Sequence, residues 1–395
     1  MIRTRLRRLA ISTAALALMA TACGTTGGGA AEGAITVGFL APLTSGNSLY
    51  AQQMVNTANL AVAAINAQGG AGGHQLKLQV YDDRLSGDTS AQVTQRALTV
   101  DGAKVMMGGY TTIEGLAVRK LADARDVLYL ATSTVSPQLL ADGPKYTFRI
   151  ANDQSDYVPV LAQAMKSVGV KRALVLHDDA ATGTTLFQPM QDAIRAAGIT
   201  ALNPVQFSLG ATDMSSPARQ VVQQAPDGIV VLNSSGADTG LMIKTLMEQN
   251  LRVPMFGLSS LASGDAQKVA DYAQLPGAYS VANYQPSKPE YKSFLDQYLK
   301  ANGGGDPAKV AGTLSDAVPQ TWDGFMLLKK ALDDTKGDTS GTKLADSISK
   351  LKPFVGAAGK AGSGIDFQGT HNAYHASFAT FKVQQGVLVE YPSGS

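Results

Sequence analysis

The sequence predicts an α/β protein with two lobes, each built on a doubly wound parallel β-sheet. From about residue 35 onward, short apolar runs alternate with amphipathic helical segments, which is the pattern of β-α-β crossovers. The pattern starts again after about residue 150, so two successive sets of crossovers predict two similar lobes. The body of about 360 residues is also larger than one hydrophobic core usually supports.

The elements of the first lobe follow in order along the chain. Apolar runs rich in β-branched and aromatic residues predict buried strands at 35–42, 76–83, 104–109 and 127–133. Apolar residues at three- and four-residue spacing predict helices between them at 52–68, 89–100 and 114–124. The first helix ends at Gly69-Gly70.

The second lobe repeats this order and ends differently. Strands are predicted at 172–179, 201–208, 228–235 and 253–260. Helices are predicted at 187–197, 216–224, 240–249, 290–301 and 318–332. The tail from residue 375 to residue 391 predicts a closing β-hairpin that turns at Gln385-Gly386.

Hydroxyl and amide side chains follow most of the predicted strands. In open parallel sheets, ligands bind beyond the carboxyl ends of the strands, where helix N-termini present free N–H groups. Thr111 with Glu114 also fits a capping box that opens the third helix. One such residue is best explained as a helix cap, but five polar strand ends in two lobes predict a ligand cleft. They are 109–112, 131–134, 177–179, 233–235 and 259–260.

Residues 1–22 have the organisation of a secretory signal peptide. Four arginines precede an apolar run of eleven residues, which is too short to cross a bilayer. The small residues Ala20-Thr21-Ala22 end directly at Cys23, the only cysteine of the chain. This site resembles a bacterial lipobox, with Ala20 in place of the usual leucine, and implies that Cys23 carries the lipid anchor. An ordinary signal peptide with a chance cysteine is the alternative. The glycine-rich segment 23–33 predicts a flexible tether.

Processing at Cys23 changes the charge of the protein. The chain has 33 Lys and Arg against 31 Asp and Glu, and four of the arginines lie in residues 1–22, so the mature net charge is −2. No basic patch remains that would favour nucleic acid. No later apolar run reaches the roughly 18 residues of a membrane span. Without further cysteines, stability must come from packing and not from disulfides.

The segment Ala61–Asp83, AVAAINAQGGAGGHQLKLQVYDD, resembles the N-terminal signature of the leucine/isoleucine/valine-binding protein family. The resemblance continues through KVMMGGYTT, VLYLATSTVSPQL, RALVLHD, MFG and TWDGF, and so covers nearly the whole mature body. It implies a type I periplasmic-binding-protein fold, in which two lobes joined by three crossings close over a ligand.

The resemblance also implies boundaries along the chain. The crossings are expected near 151–156, 281–286 and 354–364. Lobe 1 is then expected at 34–152 plus 284–355, and lobe 2 at 153–283 plus 356–395.

The family's pocket can be carried over residue by residue in the first lobe. Tyr50 matches an aromatic residue that walls the ligand, and Thr112, beside Thr111, matches a serine that holds the ligand carboxylate. Ser133 and Thr134 match backbone positions at the next strand end. Val135 stands where a threonine is usual, so it keeps the amide and loses the hydroxyl.

The second lobe departs further from the family. Thr182 replaces an aromatic residue that covers the ligand, and Ser235 replaces a tyrosine, which leaves room for a ligand larger than leucine. The acid that pairs with an amino acid's ammonium aligns with Ser259. A buried ammonium without a carboxylate partner is costly, although Asp238 or Asp265 could supply the charge. The expected ligand is therefore a small polar molecule with a carboxylate or amide.

The expected function is that of a solute-binding lipoprotein of an ABC importer. The resemblance implies a small-molecule ligand, permease and ATPase subunits as partners, a monomer, and an extracytoplasmic place on the membrane. It implies no enzymatic activity, cofactor or bound metal. Two alternatives remain: a binding module that reports to a receptor, and an exported hydrolase that uses a cleft serine with His177.

Other residues that could carry chemistry are better explained by structure. His371 and His375 have helical metal spacing but lie in a predicted loop and strand, where residues four apart are about 13 Å from each other. The acidic segment 333–341 lacks the spacing of a calcium loop. Trp322 is expected to pack near the hinge, with contact to the ligand as the alternative.

Overall fold

The computed structural model describes residues 33–367, 369–375, 377–384 and 387–391. The predicted signal peptide 1–22, Cys23 and the predicted tether as far as residue 32 lie outside the described residues, and so does the predicted turn at Gln385-Gly386. In the described part of the chain, no helix has the length and apolar character of a membrane span.

The first lobe is built on a five-stranded parallel sheet with the strand order β2-β1-β3-β4-β5. The direction in which strands are added reverses between β1 and β3, which is where open α/β sheets place their ligands. Apolar side chains are buried on both faces of the sheet. The strands are β1 Ile35–Ala41, β2 Leu76–Asp82, β3 Val105–Gly108, β4 Leu128–Ala131 and β5 Thr147–Arg149.

The second lobe is built on an eight-stranded mixed sheet in which β6, β9, β10 and β11 are parallel and β12 and β13 are added antiparallel. The strand predicted at 201–208 is split into β7 and β8, because Pro204 lies in the break and has no N–H to donate. The strands are β6 Arg172–Asp178, β7 Thr200–Ala201, β8 Val205–Phe207, β9 Gly228–Leu232, β10 Met255–Gly257, β11 Ala278–Ala282, β12 Ala379–Gln384 and β13 Val387–Tyr391.

Helices cover both sheets and confirm the predicted α/β alternation. Most of the predicted helices begin one to six residues before their predicted start. They are α1 Ser48–Ala67, α2 Gly87–Thr99, α3 Thr112–Asp123, α4 Tyr157–Val168, α5 Ala181–Ala196, α6 Ser215–Gln224, α7 Gly236–Glu248, α8 Ser259–Ala262, α9 Gly264–Val269, α10 Pro289–Ala301, α11 Pro307–Ala311, α12 Ala317–Asp334 and α13 Gly341–Lys350.

The chain passes between the sheets three times, and a buried serine of the third crossing is hydrogen-bonded to one buried asparagine of each of the other two. The Ser377 hydroxyl lies 3.3 Å from Asn152 Oδ1 and 3.0 Å from Asn283 Oδ1. Asn152 and Asn283 fall inside the first two predicted crossings. The shared hydrogen bonds hold the three strands of the hinge at one point.

The third crossing lies later than the predicted segment 354–364. Gly359 does pair with Tyr284 at the hinge, but the chain then returns to the first lobe, where Asn372 pairs with Arg149 of β5. Ile365, Phe367 and Tyr374 are buried in the first core, and only then does the chain enter β12. Burial of these three side chains keeps residues 365–367 and 369–374 with the first sheet.

Helix α10 lies on the other side of the predicted boundary. It falls within the segment 284–355 expected in lobe 1, but its buried residues Tyr291, Phe294 and Leu295 join the core of the second sheet. The apolar face of α10 therefore packs with lobe 2. Trp322 of α12 contacts both cores, and its ring lies 5.6 Å from that of Phe294.

Candidate functional site

A cavity lies between the two lobes, at the carboxyl ends of both sheets. The space between its lining atoms is about 460 Å³, a volume that includes open solvent. The first lobe contributes residues that follow β3 and β4, and the second contributes residues that follow β9 and β10 or begin α4 and α5. The lining residues are Tyr110, Thr111, Thr112, Ser133, Val135, Tyr157, Thr182, Asn233, Ser234, Leu258, Ser259 and Asp316.

Two glycines direct the chain from β3 into the cavity. Gly108 and Gly109 have φ values of +91° and +76°, a backbone conformation that other residues adopt at a cost. A Cβ at Gly109 would also lie 2.5 Å from the hydroxyl oxygen of Tyr129. These two residues bring Tyr110, Thr111 and the N-terminus of α3 to the cavity wall.

A buried carboxyl pair supports this wall from behind. Glu114 of α3 accepts hydrogen bonds from the backbone N–H of Tyr110 at 2.9 Å and of Thr111 at 2.5 Å, which confirms its predicted part in a capping box. Asp83, after β2, lies beside Glu114 and hydrogen-bonds with it. Burial is the main cause that raises the pKa of both carboxyls, and their proximity raises that of Asp83 further.

In the first lobe, the structure places Thr111, Thr112, Ser133 and Val135 in the cavity wall and Thr134 behind it. The Thr134 hydroxyl lies 3.2 Å from the carbonyl oxygens of both Gly109 and Thr111. It therefore fixes the turn after β3. Thr134 follows the end of β4 by three residues and does not line the cavity, whereas its neighbours Ser133 and Val135 do.

In the second lobe, Thr182 and Ser259 line the cavity and Ser235 does not. Ser235 is the N-cap of α7, and its hydroxyl accepts a hydrogen bond from the N–H of Asp238 at 3.3 Å. Ser234 takes the cavity position instead. The sequence pattern found the right strand end, but it could not tell which of two adjacent serines faces inward.

Among the described residues that line the cavity, Asp316 is the charged one, and the sequence analysis did not identify it. It lies directly before α12, where its carboxylate accepts a hydrogen bond from the Tyr157 hydroxyl at 3.5 Å and another from the Ser259 side chain. Burial raises the pKa of Asp316 to about 6. The pair Ser315-Asp316 at a helix start is the one sequence signal that could have drawn attention to this residue.

The two acids that the sequence offered as partners for a ligand cation do not line the cavity. Asp238 accepts a hydrogen bond from the N–H of Gly210 at 2.6 Å. Asp265 lies 3.5 Å from the Lys268 ammonium. Burial raises the pKa of each.

Asn47 and Tyr50 join the lobes beside the cavity. Asn47, in the loop before α1, donates to the carbonyl of Ser234 at 3.1 Å and accepts from the N–H of Gly236 at 2.9 Å. The Tyr50 hydroxyl donates to the carbonyl of Ser259 at 2.7 Å. Tyr50 was expected to wall the ligand; in the structure it is buried against Tyr110 and holds the second lobe.

The histidines that the sequence analysis considered have other neighbours. His177 stacks on Phe187, its Nδ1 lies 2.8 Å from the carbonyl of Asp178, and it is not among the residues that line the cavity. His371 stacks on Phe148, with centroids 4.2 Å apart. Across the described residues, no cluster of three or more His, Cys, Asp or Glu side chains could hold a metal ion.

A family model and a curated relative both match this chain over most of its length. Residues 34–385 match a family model described as periplasmic binding protein. The chain is 24% identical to Leu/Ile/Val-binding protein homolog 3 of Brucella melitensis, over 91% of this chain and 94% of that protein.

Two solved structures share the fold. A leucine binding protein from Thermotoga maritima superposes with a TM-score of 0.78 at 19% identity, covering 91% of this chain and 98% of the other. A solute binding protein of an ABC transporter from R. palustris, in complex with 4-hydroxybenzoate, has a TM-score of 0.78 at 20% identity, covering 91% and 95%.

Proposed function

This chain belongs to the periplasmic-binding-protein family, and on that premise we propose that it is the extracytoplasmic solute-binding lipoprotein of an ABC importer. In this role it closes two lobes over a small polar ligand and delivers the ligand to a membrane permease that a partner ATPase drives. The ligand class is that of amino acids, amides and organic acids. Family membership makes the chain a binder and not an enzyme.

The observation that carries the proposal is a cavity lined from both lobes at their strand ends. On the first lobe, Thr111, Thr112 and Ser133 line the cavity beside the N-terminus of α3. The positive end of a helix with hydroxyl donors beside it suits a ligand carboxylate. Cavities of this kind, between lobes that can rotate about a hinge, bind by closure.

Binding is tested by titration calorimetry on the mature protein with a panel of small amino acids, amides and organic acids. The proposal predicts saturable binding of one class with one ligand per chain. Thr112→Val keeps the shape of the side chain and removes its hydroxyl, and it is expected to weaken binding of a carboxylate about 5- to 10-fold, the equivalent of one hydrogen bond. Absence of binding across the panel would contradict the proposed function.

The membrane anchor is tested separately from binding. Cys23→Ser removes the thiol to which the lipid would be attached, so the variant is expected to leave the membrane fraction and keep the ligand affinity of the wild type. Cell fractionation followed by immunodetection measures the first result. A variant that stays in the membrane fraction would contradict lipid anchoring through Cys23.

A further inference from the structure

We infer that the ligand carries a protonated nitrogen, and that Asp316 is the residue that selects for it. This inference rests on the proposed function and names the ligand class of the same site. It separates amine-bearing ligands from organic acids that have no nitrogen, a distinction that the polar strand ends of the cavity do not make.

The first argument is the charge of the cavity wall. Among the described residues, the twelve that line the cavity include one carboxyl, that of Asp316, and no lysine, arginine or histidine. The Asp316 side chain is buried, with 5% of the residue exposed, so little water screens it. A buried carboxylate without a cation is unfavourable, and a ligand cation removes that penalty.

The second argument is the surroundings of the carboxylate. The protein donors to Asp316 include two neutral hydroxyls, of which the Tyr157 hydroxyl is at the long distance of 3.5 Å, and backbone N–H groups. The rings of Tyr110 and Tyr157 line the same cavity. A carboxylate among tyrosines offers an ammonium group both an ion pair and aromatic faces.

The third argument concerns ligands that carry only a negative charge. A carboxylate bound near the N-terminus of α3 would share the closed cavity with Asp316. Two like charges in a desolvated site repel each other, and one of them must take up a proton. A ligand that carries a protonated nitrogen as well as a carboxylate avoids this repulsion. Its nitrogen faces Asp316, and its carboxylate faces the N-terminus of α3.

Position 316 replaces position 259 as the source of the acid. Ser259 begins α8 on the second lobe, whereas Asp316 precedes α12, and their side chains are hydrogen-bonded to each other. The acid therefore reaches the space beside Ser259 from another element. It is neither Asp238 nor Asp265, the two acids that the sequence offered in place of Ser259.

The test compares ligand pairs that differ only in nitrogen. The panel contains leucine with 4-methylpentanoate, phenylalanine with 3-phenylpropanoate, and 4-aminobutyrate with butyrate, together with 3-methylbutylamine and 4-hydroxybenzoate. Each compound is screened at pH 7.5 by the shift in Tm of the mature wild type, of Asp316→Asn and of the control Asp238→Asn. Asp238 is a buried acid that does not line the cavity, and its hydrogen-bond partners Gly210 and Ser235 belong to its own lobe.

The inference predicts that the compounds that raise Tm carry a protonated nitrogen. Asp316→Asn is expected to weaken their binding about 30-fold or more, the usual effect of truncating one partner of a buried ion pair. Asp238→Asn is expected to leave Kd within about twofold, as for a site without a contact to the ligand. The Tm of each variant without ligand shows that it is folded.

Two outcomes overturn the inference and are distinguishable. Stabilisation by acids without nitrogen, or binding of amines that Asp316→Asn leaves unchanged, would contradict the role of Asp316 and leave the proposed function in place. No stabilisation of the wild type by any compound would count against the proposed function itself, and against this inference with it.

Discussion

At the scale of single residues, two buried carboxyl groups define the cavity. Asp316 faces the ligand space, and the hydroxyls of Tyr157 and Ser259 hold it there. Glu114 lies behind the wall and uses its charge to hold the backbone N–H groups of Tyr110 and Thr111. The first carboxyl can act on a ligand, and the second shapes the wall that the ligand contacts.

The buried pair of Asp83 and Glu114 predicts a pH dependence of stability. Among the described residues, Asp83 Oδ2 and Glu114 Oε1 have no N–H or O–H partner, so one proton shared between the carboxyls satisfies both oxygens. The folded protein keeps this proton above the ordinary aspartate pKa of about 3.9, where the unfolded chain releases it. Stability is therefore lost as the pH rises from about 4 toward the raised pKa of the pair.

Asp83→Asn is expected to remove this dependence, because the amide donates to Glu114 without binding a proton. At pH 8 the variant should be more stable than the wild type by about 1–3 kcal/mol, and at pH 4 the difference should vanish. Chemical denaturation at the two pH values measures both quantities. Equal stability at pH 8, or a gain that persists at pH 4, would show that no shared proton is lost.

At the scale of elements, the turn between β3 and α3 places the first-lobe side of the cavity. Gly109 combines a positive φ with a backbone that passes directly under the Tyr129 hydroxyl. Gly102 has a similar φ of +73°, and a Cβ there would meet no atom within 4 Å. A comparison of the two glycines therefore separates the cost of a positive φ, which both have, from the cost of a steric clash, which only Gly109 has.

Replacement of each glycine by alanine is expected to give unequal losses. Gly102→Ala should lower the free energy of unfolding by about 1 kcal/mol, the cost of the left-handed conformation alone. Gly109→Ala should lower it by about 2–4 kcal/mol, because the Cβ also displaces the Tyr129 hydroxyl. Urea denaturation measures both. Equal losses would mean that the close approach of the Gly109 backbone to the Tyr129 hydroxyl does not affect the free energy of unfolding.

The α/β alternation could be predicted from periodicity, but some elements could not. The strands β1, β2, β6 and β9 are apolar runs bounded by turn residues, and the structure confirms them. Strand β5 has three residues, Thr147–Arg149, which is too short to produce a periodic signal. Strand pairing with β4, a tertiary effect, is what makes it a strand.

The site could be predicted at the level of strand ends but not at the level of individual side chains. The pattern found Thr112 and Ser133, which follow strands directly. The pattern missed Asp316 because this residue follows no strand and lies before a helix far along the chain. The packing of α12 in the fold brings Asp316 to Ser259. The pattern could not tell Ser234 from Ser235, since the turn before α7 decides which one faces the cavity.

At the scale of the whole molecule, the two lobes are held together beside the cavity and at the hinge. Asn47 bridges to Ser234 and Gly236, and the hydrogen bonds of Ser377 join the three crossings. Closure over a ligand requires contacts that exist only when the lobes meet. The two hydrogen bonds of Asn47 are such contacts.

Asn47→Ala is expected to favour the open arrangement and to weaken ligand binding about 5- to 30-fold, the equivalent of two buried hydrogen bonds. The control is Asn59→Ala, because Asn59 is exposed on α1 and donates only within its own helix, to the carbonyl of Val55. Calorimetry with the strongest ligand of the panel and small-angle scattering without ligand measure the two effects. The same Kd for both variants would contradict a role of Asn47 in closure.

The central claim is that the cavity binds a small molecule with a protonated nitrogen through Asp316. The most direct measurement is mass spectrometry of the small molecules released from the natively purified protein, with Asp316→Asn prepared in parallel. The account predicts that the wild type releases a nitrogen-bearing compound in near-equimolar amount and that the variant releases much less of it. Release of the same nitrogen-free acid from both proteins would contradict it.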